Sequence, residues 1–560
     1  MAREPCTICE LFQSAVEEAD RAAAFRRDDG SVALTWAQYA TAVRAAANGL
    51  TAAGLEHGDT MACWLTNRVE FHIADAAAVH LGAVGFSIYS TYTVEQAAHV
   101  IADAGCRILV TESAFLERAV AVRDRADSPL DTIVVVDGEM PGTIGWDELL
   151  VTEAPEGLDF QARWQAVGPY DLATLIYTSG TTGPPKGVEL THANIIAQLA
   201  ALRRRLDYPL GARVVSYLPM AHIAERINTH YLAMAIRADV TPVSDARTVS
   251  EHLQRVRPHF FFSPPRTWEK LRTAALARLG EDAGNGAKVS DETRSAVREQ
   301  LGFDQLRTAV VGAAPCPVQV IEFWRNLGIE LVEVYGLSEC SGVATLAGNA
   351  APPTGGVGRP LDGVEVRLGD SDEVLIRGPV VMRGYRNRPD ATADAIDPEG
   401  WLHTGDVGVI DRDGNLRIVD RIKELIINAA GKNMSPANIE AQLRSGSPLI
   451  GQAVAIGDGR PYNMALITID AQASRALTAA GELMDREPES VERDPAVVAE
   501  VQAGVDRANK ALSRVEQIKR FVILGEDWEP GGDELTPTMK LKRRAIHAKY
   551  AAQIEAIYRC

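Results

Sequence analysis

The sequence is short of the features that would carry it into a membrane or onto a nucleic acid. No stretch of about 18 apolar residues runs free of charge, the minimum for a membrane-spanning helix. The most apolar candidate, residues 71–90, is broken by Asp75 and contains His72 and His80. Basic residues are in deficit, and a formal net charge of −18 argues against a nucleic-acid partner, whose phosphates would be repelled over most of the surface. Aromatic residues make up only 6%. Cysteine is sparse and scattered: Cys6 and Cys9 form a C-x-x-C without a second pair, which excludes the usual structural zinc pattern and leaves reduced thiols in a cytoplasmic protein as the expectation. Residues 1–10 carry Arg3, Glu4 and Glu10 and lack the apolar core of a secretory signal. Any membrane contact is therefore expected to be peripheral.

What is present is a long globular chain. At 560 residues, 46% hydrophobic and 24% charged, it calls for about three or four structural units. Helical spacing is clear in 35–53, 69–81 and 193–205. Between such stretches lie apolar runs of strand length at 61–65, 108–111, 132–136, 213–218, 259–262, 308–311 and 330–334. Strands alternating with helices predict an α/β fold with parallel sheets covered on both faces. The Gly- and charge-rich segment 280–291 reads as a surface insertion. From 357 to 419 the pattern changes to short strand-like runs and tight turns, such as Asp411-Arg412-Asp413-Gly414-Asn415, which predicts a small, mainly antiparallel β unit. The rest mixes strands and helices as a separate small domain.

Several strand-like runs end in Gly-rich or polar sequence, at 179–183, 219–222, 312–315 and 335–339, and ligands of doubly wound sheets bind at the carboxyl ends of strands. The strongest of these signals is Tyr177-Thr178-Ser179-Gly180-Thr181-Thr182-Gly183-Pro184-Pro185-Lys186-Gly187. Four hydroxyls, three glycines and a lysine in so short a span suit close backbone approach to a polyphosphate. It is not a Walker A loop, because Pro185 stands where that motif needs Gly and no Ser or Thr follows Lys186.

This segment resembles the signature loop of the adenylate-forming superfamily of acyl-CoA synthetases, adenylation domains and luciferases. The match runs from about residue 35 to 550 with further motifs in the family's order. The resemblance implies a large N-terminal domain (1–420) of two doubly wound α/β subdomains plus a small β-barrel-like subdomain, and a small mobile α+β C-terminal domain (421–560). It assigns Thr178, Ser179, Gly180, Thr181, Thr182, Gly183 and Lys186 to the nucleotide phosphates. Gly312, Ala313 and Ala314 would border adenine and the acyl pocket. In Tyr335-Gly336-Leu337-Ser338-Glu339, the ring of Tyr335 would stack on adenine beside Gly336, Ser338 would reach the α-phosphate, and Glu339 would hold Mg2+ with Thr178. Asp406, in Thr404-Gly405-Asp406, would accept both ribose hydroxyls. Arg421 and Lys432 would also meet the nucleotide, and Lys423 takes the hinge position.

Lys540, in Leu535-Thr536-Pro537-Thr538-Met539-Lys540, resembles the family's catalytic lysine, where a cation stabilises charge developing at the α-phosphate. The family's common S-G-K is Thr538-Met539-Lys540 here, a variant seen in long-chain fatty acyl-CoA synthetases. The runs 218–226 and 263–270 resemble the same branch, and His222 would sit near the substrate carboxylate. Lys542, Arg543 and Arg544 are expected to be solvated or helix-end charges. The implied reaction couples a fatty acid, ATP and coenzyme A, in a monomer or homodimer. A carrier-protein acceptor and a catalytically silent nucleotide-binding regulator are the rival readings. No G-x-S-x-G elbow supports a serine hydrolase.

Overall fold

The computed structural model describes residues 4–178, 184–279, 290–348, 355–427, 433–471, 473–474, 493–526, 528–536 and 539–559. The expected helices form as Trp36–Ala52, Val69–His80 and His192–Arg205. Two start on reciprocal caps: Thr35 with Gln38, and Thr191 with Asn194. Each cap satisfies amide groups that the first helical turn leaves unpaired. Val69–His80 is buried on nearly every side, as its lack of a polar stripe requires.

The largest sheet has eight strands in the order Gly384–Tyr385, Lys186–Thr191, Leu172–Thr178, Val84–Ser87, Thr60–Trp64, Ile108–Thr111, Thr132–Val135 and Ile144–Gly145. From Leu172–Thr178 onward the pairs are parallel. Its other side departs from the all-parallel expectation: Leu172–Thr178 and Lys186–Thr191 run antiparallel, Thr178 opposite Lys186. A crossover between parallel strands needs a dozen or more residues, and the stretch of 179–185 is shorter than that, which accounts for the antiparallel pairing.

In a second sheet, Phe260–Ser263, Thr308–Val311 and Leu331–Tyr335 pair in parallel and the short strands Thr345–Leu346 and Arg359–Pro360 close it antiparallel. Side chains alternate between faces along a strand. Accordingly Phe261, Ala309 and Val311 join one core cluster while Phe260, Phe262 and Val310 join another, the signature of a sheet covered on both sides. A third sheet joins Arg213–Ser216 and Asp239–Pro242 to the N-terminal strands Ala23–Arg26 and Val32–Thr35. The predicted β unit is present as Glu365–Leu368, Glu373–Arg377, Leu402–Ile410 and Leu416–Arg421, antiparallel throughout.

Beyond Ile426 the chain builds cores of its own on the sheet Ile450–Ile456, Asn463–Ile469 and Ile518–Leu524. Ala453, Ala455, Ala465 and Ile467 pack with helices Pro436–Gly446 and Pro495–Ala511. The alternate residues Val454, Ile456, Met464 and Leu466 pack with Ile546 and Ile554 of the last two helices and with Tyr550 between them. Among the described residues no helix is long and apolar enough to cross a membrane.

Candidate active site

The carboxyl ends of the parallel strands supply the first part of the site. Thr308–Val311 runs into Gly312, where an added Cβ would lie 2.6 Å from Val334 Cγ2, so only glycine lets the two strand ends meet. Ala313 follows with φ +67° and, with Ala314, faces solvent. On the neighbouring strand Tyr335 leads into Gly336, whose missing side chain admits the carbonyl of Gly342 at 2.3 Å from the Cβ position. Ser338 is buried in the single turn Ser338–Cys340. Cys340 is fully buried, and the Leu337 amide donates to its Sγ at 3.3 Å, a packing role.

Asp406 lies on the strand Leu402–Ile410 directly across from Arg421. The Tyr335 hydroxyl donates to its Oδ2 at 2.6 Å, and Arg421 Nε stands 3.4 Å from Oδ1. Burial pushes the Asp406 carboxyl above its ordinary range, opposed by the Tyr335 hydrogen bond and the charges of Arg421 and Lys540. The Lys540 residue keeps solvent exposure, yet its ammonium is crowded by protein and lies within electrostatic reach of Arg421, Asp406, Glu339 and Glu424. Desolvation, then the Arg421 charge, hold it below the usual lysine range.

His222 caps the short helix Ile223–Glu225: its Nδ1 accepts from the Ala224 amide at 3.2 Å, which leaves the proton on Nε2. Burial and the nearby Lys540 charge lower its pKa to about 4, so it is a neutral donor at physiological pH. Glu339 receives the Tyr385 hydroxyl on Oε1 at 2.9 Å, and Lys186 Nζ lies 4.8 Å from the centre of the Tyr385 ring. Lys186, Tyr385 and Glu339 are thus linked in one row.

The structure therefore gathers Asp406, Arg421, Tyr335, Lys540, His222 and Glu339 around one cleft, with Lys186 tied to Glu339 through Tyr385. Thr178 ends its strand opposite Lys186. Lys423 is exposed in the turn after Arg421. Ser179, Gly180, Thr181, Thr182, Gly183 and Lys432 lie outside the described residues.

Two site residues escape sequence reasoning. Tyr385 sits in a two-residue strand without periodicity, and only its pairing with Val188 brings it to the cleft. Arg543 stands at a helix end, one of the two expected placements, as the first residue of Arg543–Lys549, but it is not solvated: it is 18% exposed and makes a bidentate pair with Glu440, at 2.6 and 2.9 Å. Lys542 is likewise engaged, donating from Nζ to the Gly532 carbonyl at 2.7 Å. The sequence signal was weak, because a run of basic residues reads as solvent-facing until its acidic partners from distant segments are known.

Comparison with known proteins identifies the family and the fold. The family described as AMP-binding enzyme matches residues 11–386, and the AMP-binding enzyme C-terminal domain matches 423–560. A Mycobacterium tuberculosis protein named as a fatty-acid–CoA ligase, FadD11, is 47% identical over 451 residues, covering 75% of this chain and 79% of the relative. The long-chain-fatty-acid–CoA ligase FadD15 of Mycobacterium bovis is 36% identical, covering 94% of this chain and 92% of the relative. Among solved structures, the adenylation domain of a carboxylate reductase from Mycobacterium chelonae has the same fold, with TM-score 0.81 at 20% identity over 100% of this chain and 92% of its own. The match over more than half its length, together with these relatives, makes the chain a member of the AMP-binding enzyme family.

Proposed function

We propose that this protein activates a long-chain fatty acid as its acyl-adenylate at the expense of ATP and then transfers the acyl group to coenzyme A. The observation that carries the reading is the convergence of Lys540, from the C-terminal lobe, on Asp406, Glu339 and His222 of the large lobe. A cation in that position favours attack of a carboxylate oxygen on the α-phosphorus and balances the charge that builds there as pyrophosphate leaves. Asp406, oriented by Tyr335 and Arg421, suits the ribose hydroxyls, and the neutral Nε2–H of His222 suits an oxygen of the acid. The names of the relatives FadD11 and FadD15 support both the acid and the thiol acceptor.

Glu339 fits a magnesium ion. Tyr385 occupies its Oε1, while Oε2 has no hydrogen-bond partner among the described residues, leaving a hard oxygen donor on the carboxylate that Tyr385 links to Lys186. Glu339 and Thr178 would hold the ion. When bound, it would neutralise the polyphosphate charge.

In the second half-reaction the CoA thiol attacks the acyl carbon and AMP departs. Lys540 serves only the first half, so the segment 421–560 is inferred to turn about Lys423 between steps, against a large unit of 1–420. The test is CoA-dependent AMP release from ATP and magnesium with acids from acetate to oleate. Turnover rising with chain length supports the reading. Pyrophosphate release without acyl-CoA redirects it to a carrier-protein acceptor, and ATP binding with no turnover supports a silent regulator.

A further inference from the structure

Arg543 ties the loop that presents Lys540 to the turn beside Lys423. The loop is a narrow hairpin. Leu535 and Leu541 bridge antiparallel, the Thr536 amide donates to the Lys540 carbonyl at 2.8 Å, and the Lys540 amide donates to Thr536 Oγ1 at 3.0 Å. Met539, at φ +65°, makes the sharp bend just before the lysine. At the hairpin's base the Lys542 amide donates to the Glu534 carbonyl at 2.7 Å, and the next residue is Arg543, first of the helix Arg543–Lys549.

The Arg543 guanidinium faces two ways. One fork is bidentate on Glu440, which is 3% exposed in its side chain and also accepts the Ala455 amide of the edge strand Ile450–Ile456 at 2.9 Å. The remaining Nε donates to Glu424 Oε2 at 3.1 Å. Glu424 follows Lys423 directly, and its own amide donates to the Arg421 carbonyl at 3.0 Å. A continuous set of bonds thus runs from the C-terminal sheet through Glu440 and Arg543 to the Arg421–Glu424 turn, with the Lys540 hairpin attached at Arg543. Lysine offers one point charge and no fork, so only arginine spans these partners.

We propose that Arg543 is a positioning residue for adenylate formation: it makes the Lys540 hairpin move as one piece with the residues just past the hinge, so that rotation there delivers the ammonium to the α-phosphate. This rests on the adenylation reading above. Arg543 itself need touch neither substrate nor nucleotide.

The experiment separates the half-reactions in the full chain, measuring pyrophosphate release from ATP and acid, and acyl-CoA formation from supplied acyl-adenylate. Arg543→Gln is expected to slow adenylation by about 10- to 100-fold, the scale of a misplacement of about 1 Å. It should leave thioester formation within about twofold. Arg543→Lys should recover only part of the loss, and Glu424→Gln, which keeps the Glu440 pair and the fold, should give a smaller loss in the same half-reaction. The decisive readout is coupling: in Lys540→Ala/Arg543→Gln, adenylation should be no slower than in Lys540→Ala alone, because a group that acts through Lys540 has nothing left to act on. Additive losses, equal damage to both half-reactions, or an unaffected Glu424→Gln would overturn the proposal. Wild-type protein that forms no adenylate would overturn the reading beneath it and the proposal together.

Discussion

Asp75 and Glu225 are withdrawn from water to the same degree, 0% and 2% exposed, and one contacts Arg226 while the other precedes it in the chain. Their pKa values nevertheless move in opposite directions. Asp75 receives Arg226 Nη2 at 2.7 Å and His230 Nε2 at 2.9 Å, and these charges and donors hold its carboxyl well below the usual range against desolvation. Glu225 receives only neutral donors, Ser216 Oγ at 2.8 Å, Thr229 Oγ1 at 2.7 Å and Asn67 Nδ2 at 3.4 Å, and desolvation pushes it up to about 7. In a dry site, a full opposite charge decides ionisation where several neutral hydrogen bonds do not. The cleft holds an intermediate case: Asp406 faces Arg421 and Lys540, yet its pKa still rises. A core knot closes its own charges, whereas a binding cleft leaves them partly uncompensated for a ligand to complete.

The largest effect should come from breaking the closed knot. Asp75→Ala leaves the Arg226 guanidinium, 0% exposed, without its counter-ion, and removal of one partner of a buried pair costs about 3–5 kcal/mol. Urea unfolding should show the midpoint falling accordingly, and a loss below about 1 kcal/mol would mean the pair is not closed. In the cleft the same kind of deletion should spare the fold. Lys540→Ala is expected to reduce adenylate formation by about 10²- to 10³-fold, with the urea midpoint unchanged and thioester formation from supplied acyl-adenylate preserved. Equal loss of both half-reactions would contradict the role given to Lys540.

Glu225 sharpens the comparison through pH. Its folded pKa, about 7, lies above the ordinary 4.5, so the folded state binds the proton more tightly than the unfolded chain. The associated stability is complete below about pH 4.5 and is lost as pH rises to about 7, a difference of about 3 kcal/mol. Glu225→Gln keeps an oxygen for Ser216 and Thr229 but cannot ionise. Its melting temperature should match the parent near pH 5 and exceed it at pH 8. Parallel curves across that range would show that Glu225 carries an ordinary carboxyl.

Much of this contrast was invisible in the sequence for a definite reason. The strands at 108–111 and 308–311, the helix at 69–81 and the β unit at 357–419 follow from local periodicity, and their cores repeat it. The cleft residues Tyr335, Asp406 and Lys540 stand in short motifs, so their types could be matched without knowing their neighbours. The tie of Glu339 to Lys186 through Tyr385, and that of Arg543 to Glu424 and Glu440, depend on partners from about 46 to 200 positions away, and no local pattern records such pairing. The antiparallel pairing of Leu172–Thr178 with Lys186–Thr191 is hidden for the opposite reason: an apolar run fits a parallel or an antiparallel neighbour alike, so its local pattern does not give its direction.

The smallest effect concerns a pair that spans the two lobes. Arg266, at the start of the helix Pro265–Leu279, meets Asp470 just after the strand Asn463–Ile469 at 2.5 Å, with side chains 27% and 17% exposed. It belongs neither to a closed knot nor to the ligand cleft. Residual solvent and the ordering of a long side chain limit such a bridge to about 1 kcal/mol or less. Its weight falls on the arrangement that brings Lys540 to the cleft, because Arg266 and Asp470 sit on opposite sides of the inferred hinge. Arg266→Ala should therefore lower the adenylation rate by less than about fivefold, leave thioester formation unchanged or slightly faster, and shift neither the melting temperature nor the urea midpoint measurably. Raising ionic strength should reproduce part of that change in the parent and none in the variant, since salt screens a partly exposed pair. Loss of both half-reactions in Arg266→Ala would instead mark the arginine as a support of its own helix.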